Sequence, residues 1–324
     1  MARRHPANFA TAQAARRFNA SLIAVIAAIS LAGCSPEATF KAERLEADVV
    51  ELARKDYKID VLSSHKDNTL GVMWYADKLM DETGAALRKE VNENMGLLNQ
   101  TVSRIALSTD APIEFIVVAV RGREELVEFR MIQHVTDVKR IRTEALSVPE
   151  YYRRMLVQQG RYEPSGLGGN EFPMEAITFP EYIKDQVLQR TKMPRDDKDK
   201  MDAASEDRQG SVFYDGRVRE TKKGRVFEFS LLSLKVQQAE ENVIDLLRMI
   251  KDAFGGYNYT DYSSIIIHDL INGRKIVITQ ETMASLTKKK VTAVDILRDF
   301  SSTDDTKGAK VLRNTLEVFG FGVE

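Results

Sequence analysis

The sequence predicts an α+β protein of two similar modules with antiparallel sheets, each module running strand, strand, long helix, strand, strand, capped short helix. Three observations carry that prediction. The period of the apolar residues switches from two to 3.6 and back in the same order twice, once after Tyr57 and again after Ser211. Ser147 to Met155 ("SVPEYYRRM") matches Thr292 to Phe300 ("TAVDILRDF") in a capping residue, an acidic residue three places on, two large apolar residues and an arginine. Between the halves, Lys192 to Gly210 is nearly all charged or small and has too little apolar surface to build a core.

Residues 1–33 read as an export signal. Arg3, Arg4, Arg16 and Arg17 stand without an acidic residue, then Ala20 to Gly33 is apolar and leads into Cys34, the only cysteine. That run is short of the roughly 20 apolar residues that span a bilayer. Leu31-Ala32-Gly33-Cys34 resembles the lipobox of bacterial lipoproteins. The resemblance implies that Cys34 receives a diacylglyceryl group, that the signal is cut before it, and that the new amino terminus is acylated. Several chains would anchor durably, at about 0.8 kcal/mol per buried methylene. The sulfur would then be a thioether and the mature chain free of thiols, which suits an oxidising compartment. Ser35 after the cysteine implies, by the same resemblance, the outer membrane of a Gram-negative cell, facing the periplasm. Arg16-Arg17-Phe18 departs from a twin-arginine signal in the place of its phenylalanine, so ordinary secretion is expected.

Without the signal, 43 basic residues face 48 acidic ones, a formal charge of −5. No basic excess is present to hold a nucleic acid. No later apolar run reaches membrane-spanning length, and the strand-like segments are too few for a transmembrane barrel. The remaining about 290 residues can bury one large core or two ordinary ones.

Residues 34–56 are expected to be a short tether and a helix, Phe40 to Asp56, with Leu45, Val49 and Leu52 at helical spacing. The first module, 57–158, opens with Tyr57, Ile59 and Val61 alternating, a turn at "SSHKDN", and Leu70, Val72, Trp74 and Ala76 alternating again. A helix from about Glu82 to Leu107 carries the stripe Leu87, Val91, Met95, Leu98, Val102 and Ile105. "PIEFIVVAV" from Pro112 is an apolar strand, "RGREE" turns, and Leu126 to Gln133 returns. Ser147 and Glu150 form the signature of a capping box.

Residues 159–210 read as loop, a helix from Thr178 to Arg190 with Pro180 in its first turn, and the charged linker. In the second module, 211–300, strands from Val212 to Arg219 and Arg225 to Leu234 flank "TKKG". A helix from about Val236 to Phe254 follows, with Val243, Leu246, Leu247 and Ile250 on one face. "SSIIIHDL" and Lys275 to Gln280 pair around Asn272-Gly273, which suits a type I′ turn. Residues 301–324 are expected to be a C-terminal segment with a helix.

Chemistry is harder to find. Beyond the signal, His65, His134 and His268 lie far apart and lack metal-ligand spacing, so each reads as a satisfied surface or sheet histidine. His268 and Asp269 are adjacent on a strand and point to opposite faces, which argues against a dyad. Gly166-Leu167-Gly168-Gly169 lacks the strand, helix and Lys-Ser/Thr ending of a phosphate loop. No GxSxG or SxxK context supplies a nucleophile. The pairs Asp196-Asp197, Glu124-Glu125 and Asp304-Asp305 read as solvated loop charges, and the tyrosines of "YYRRM" and "FGGYNYTDY" as packing before binding surface.

No catalytic residue, metal ligand or cofactor is therefore assigned, and the one modification site is Cys34. The expectation is a membrane-anchored envelope lipoprotein, a non-catalytic adaptor or subunit of a periplasm-facing assembly. Its partners are membrane lipid through Cys34 and an envelope protein, not nucleic acid. The alternative is a periplasmic hydrolase or ligand-binding lipoprotein with a site between the modules.

Overall fold

The computed structural model describes residues 39–84, 86–162, 172, 174–192, 212–234 and 238–304. The lipobox with Cys34, the Gly166 to Gly169 loop, Asp196-Asp197, Asp305 and the C-terminal helix expected within 301–324 lie outside the described residues.

The first module contains α1 (Leu45–Leu52), β1 (Leu62–Lys66), β2 (Thr69–Ala76), α2 (Lys89–Ser108), β3 (Phe115–Gly122), β4 (Val127–His134), α3 (Val135–Arg142), α4 (Val148–Arg154) and β5 (Leu156–Arg161). Then come α5 (Phe179–Lys192), β6 (Val212–Thr221), β7 (Gly224–Ser233), α6 (Ala239–Gly256), β8 (Ser264–Asp269), β9 (Arg274–Thr279), α7 (Gln280–Thr287), α8 (Ala293–Asp299) and β10 (Ser301–Thr303). One sheet has the order β1-β2-β3-β4-β5 and the other β10-β9-β8-β7-β6, so the two modules repeat one topology.

The sheets are mixed, not antiparallel as expected. β2 pairs parallel with β3 from Thr69↔Phe115 to Ala76↔Gly122, and β7 pairs parallel with β8 from Val226↔Ser264 to Leu231↔Asp269. The cause is the long helix in each module. A helix of this length carries the chain back to the end where the preceding strand began, so the next strand runs in the same direction. Each sheet also gains a fifth, edge strand, β5 or β10, after the short helices.

The alternating Tyr57, Ile59 and Val61 are not a strand. α1 continues as a wider turn through Tyr57 and stops at Lys58, whose φ is 61°. Ile59 and Val61 instead lean on the core as connection. β1 is the "LSSHK" expected to turn, and the turn itself is only Asp67-Asn68. α2 begins at Lys89, later than expected, because the chain just after β2 is held to Glu125, which accepts from the backbone N–H of Leu79 at 2.8 Å. Of Asn272-Gly273 only Gly273 has positive φ, at 57°, so the loop is not type I′. Asp269 holds it by accepting from the Asn272 side-chain amide at 2.6 Å.

Each inner sheet face packs on its long helix. Leu70, Val72, Trp74, Ile116 and Val118 meet Val91, Leu98, Val102 and Ile105. Phe227, Phe229, Ile265 and Ile267 meet Val243, Leu246, Leu247 and Ile250. Leu98 and Leu247 are both fully buried, so the two apolar stripes occupy equivalent places. A second helix completes each core: Leu45 and Val49 of α1 in the first, Ile183 and Val187 of α5 in the second. α1 and α5 each pack beside the first strand of the hairpin that follows, so the repeat begins one helix earlier than the sequence pattern suggested.

α5 also joins the modules. Tyr182, beside Ile183, turns the other way into the outer face of the first sheet, with Met73, Phe115, Val117, Leu156, Phe172 and Met174. One helix thus belongs to both cores. Gly71 is required beneath this cover, because a Cβ there would overlap the side chains of Phe172 and Met174.

Candidate functional site

The densest group of buried ionisable side chains lies where the modules meet. Helix α3 starts at His134, whose Nδ1 accepts from the Thr136 N–H at 3.2 Å, and it presents Asp137 and Arg140. Ser147 caps α4, and this helix presents Glu150 and Arg154 one turn apart. The capping box is half closed: Ser147 accepts from the Glu150 N–H, but the Glu150 carboxylate turns to Arg154, 2.8 Å away, and to Arg190 of α5 at 3.4 Å.

From the second module comes the end of α6. The last carbonyls of a helix have no partner within it and carry partial negative charge. At Gly256 that carbonyl accepts from Arg140 Nη1 at 2.9 Å and from Arg154 Nη1 at 3.1 Å. A side chain at Gly256 would crowd the guanidinium, since its Cβ would lie 2.9 Å from Arg154 Nη2. The next residue, Tyr257, donates its hydroxyl to Asp137 and lies under the Arg154 guanidinium, 5.1 Å from ring centroid to Cζ.

Asp137 is 1% exposed and also takes Arg154 Nη1 at 3.2 Å. Tyr182 donates to the Arg154 carbonyl at 2.7 Å, and the Gln186 amide reaches both that carbonyl and the Tyr257 hydroxyl. Around this network Phe115, His134, Phe179, Tyr182 and Tyr257 pack edge to face or tilted. The charged groups are thus paired with one another, although Gln186 Oε1 and Arg190 Nε are buried without a hydrogen-bond partner.

The electrostatics follow from burial. Burial lifts the Asp137 carboxyl above its ordinary range, against the pull of the Tyr257 hydroxyl and the arginines. Burial, helped by Arg140 and Lys139, pushes His134 down to about 4, so the ring is neutral near pH 7. The Tyr182 and Tyr257 hydroxyls are raised by burial and stay protonated donors. A neutral histidine holding a helix start and a carboxylate held by a tyrosine and an arginine make a structural lock. His134 Nδ1 and both oxygens of the Asp137 carboxylate are thus already engaged within the fold.

The other histidines are also engaged locally. His65 Nε2 is 3.0 Å from the Asp67 carbonyl, and its backbone N–H donates to Glu46, which closes part of the free edge of β1. His268 and Asp269 do point to opposite faces, as expected. His268 meets another acid, with its Nδ1 2.6 Å from Asp304 Oδ2. The reading of Asp304 as a solvated loop charge is therefore corrected, since it is 1% exposed. Glu125 is corrected in the same way by its bonds to the Leu79 and Met80 N–H groups, whereas Glu124 is exposed beside Lys78. "FGGYNYTDY" is packing, as Phe254, Tyr259 and Tyr262 meet Phe227 edge to face. In "YYRRM", Tyr151 bonds Gln133 while Tyr152 is 61% exposed.

The chain matches no family model, no curated protein and no solved structure. Among the described residues no helix is long and apolar enough to cross a membrane, and no group of three or more His, Cys, Asp or Glu could hold a metal ion. An open groove of about 810 Å³ runs between α1 and β1, lined by Val50, Arg54, Lys58 and Val61.

Sequence reasoning missed the junction because its members are far apart in the chain. Asp137 and Tyr257 are separated by 120 positions. Two local signals pointed there: Glu150 and Arg154 at one helical turn, and a glycine closing an amphipathic helix just before a tyrosine.

Proposed function

We propose that this protein is an envelope lipoprotein anchored through Cys34, which serves as a non-catalytic adaptor or subunit of a periplasm-facing assembly. The observation that carries this reading is the junction between the modules. Among the described residues, Asp137, Arg154 and Tyr257 pair with each other and with the end of α6, which supports a role in holding the two modules together over one in acting on a ligand. A hydrolase or ligand-binding site between the modules would need that space.

The start of the fold supports close membrane apposition. Thr39 already donates to the Ser108 carbonyl at 2.9 Å, and Phe40 bridges to Thr109. Five residue steps from Cys34 to Thr39 reach at most about 18 Å. A lipid at Cys34 would hold the end of α2 near the headgroups. The Ser35 signal, through the lipoprotein resemblance, favours the outer membrane.

Purification from detergent-solubilised membranes tests the adaptor reading. A second envelope protein should co-purify in fixed ratio and survive a wash at high salt. Isolation of the chain alone, together with a hydrolytic rate that Asp137→Asn abolishes without unfolding, would replace the adaptor by the enzyme.

A further inference from the structure

The two sheets treat their outer faces differently. In the first, Val117 and Ile132 are registered neighbours, 2% and 6% exposed, and lie under Phe172, Met174 and Tyr182. By strand register and shared core positions, Ile266 and Val277 are their equivalents in the second sheet. Val277 is 36% exposed and Ile266 half-buried, and at the far edge of the same face, beyond Glu228 and its partners Arg217 and Arg219, Phe213 is 59% exposed beside its partner Leu232. The helices that pack on this sheet, α5, α6, α7 and α8, join the opposite face, with Phe227, Phe229 and Ile276.

We propose that this outer face is the docking surface for the chain's own C-terminal segment, residues 305–324, in the way that Phe172, Met174 and Tyr182 dock on the first sheet. Three observations lead there. Asp304, the last described residue, extends the β10 ladder by donating its N–H to the Gly273 carbonyl at 2.7 Å, and its carboxylate lies on this face, with Oδ2 2.6 Å from His268 Nδ1 on β8. β10 is the equivalent of β5, and the chain leaving β5 returns across the outer face at Phe172. The remaining sequence holds Leu316, Val318, Phe319 and Phe321, and Phe319-Gly320-Phe321 repeats the apolar spacing of Phe172-Pro173-Met174. In an extended segment that spacing puts both side chains on one face. Reach is sufficient, since five strands span roughly 20 Å and the fifteen residues from Asp304 to Phe319 can extend to about 50 Å.

This inference goes beyond the adaptor reading and does not depend on the anchor. Its test uses the detergent-solubilised full-length chain carrying Cys34→Ser, a thiol-free background, with Ile266→Cys as reporter. Maleimide labelling of that thiol should speed up roughly tenfold when the chain is ended after Asp304, as expected for a face opened locally. A synthetic peptide of residues 305–324 should slow it again, and the same peptide with both phenylalanines changed to aspartate should not. If truncation unfolds the module, the full-length Phe319→Asp, Phe321→Asp variant provides the same comparison. Leu126→Cys, exposed on the first module, serves as the control and should label equally in all forms. Equal labelling of Ile266→Cys with and without the segment would overturn the proposal. So would protection that rises with protein concentration and tracks a doubled mass, which would assign the face to a second copy.

Discussion

Arg154 of α4 donates to the carbonyl of Gly256 at 3.1 Å, a hydrogen bond that spans 102 positions and joins the two modules. The same guanidinium holds Asp137 and Glu150 of its own module and covers Tyr257 of the other. The end of one repeat's long helix is thus neutralised by the short helices of the other. The two halves therefore cannot turn independently without leaving Asp137 buried and short of its partners.

Arg154→Ala should lower stability by about 3 to 5 kcal/mol, the usual cost of removing one member of a buried pair. A denaturant titration measures it, and Arg154→Lys should recover only part, because lysine cannot fork between Asp137 and Gly256. A loss below about 1 kcal/mol would mean that the junction is solvated in solution.

Leu98→Ala and Leu247→Ala should each cost about 2 to 5 kcal/mol through lost burial and a cavity. Both leucines are fully buried at matching places in the repeat. A large loss at one and almost none at the other would show that the two cores are not equivalent.

His134 predicts a pH dependence. Its folded value near 4 lies below the ordinary 6.5, so between these limits the unfolded chain takes up a proton that the fold refuses. Stability from this group is complete above about 6.5 and is lost as pH falls toward 4, up to about 3 kcal/mol. The difference in unfolding free energy between wild type and His134→Gln should shrink by that amount from pH 7 to pH 4. A constant difference would contradict a buried neutral ring.

Cutting the chain between 193 and 211 should not release two separate folded fragments, contrary to what the charged composition of that stretch suggests. α5 would remain on the first fragment with Ile183 and Val187 still in the second core. A protease site placed there should yield fragments that co-elute in size exclusion and part only in denaturant. Separation under native conditions would show that α5 does not hold the halves together.

The repeat was legible because it is written in local period: the stripe around Leu98 and the one around Leu247 are readable by eye. Strand direction was not read, because it is set by the crossover helix and not by the strands' own alternation. The role of α5 was hidden because its neighbours Tyr182 and Ile183 serve different cores, which leaves no clean stripe. Asp304 read as solvent because nothing local reveals that the strand before it aims the carboxylate at His268. The junction needed the fold itself, as it is assembled from α3, α4, α5 and the end of α6.

The intact mass of the protein extracted from membranes tests the central claim most directly. A lipoprotein anchored at Cys34 predicts a chain beginning at that residue with thioether-linked diacylglycerol and an acylated amino terminus, and Cys34→Ala should accumulate as an unprocessed precursor. A soluble wild-type chain, or one that begins at Met1, would contradict the account.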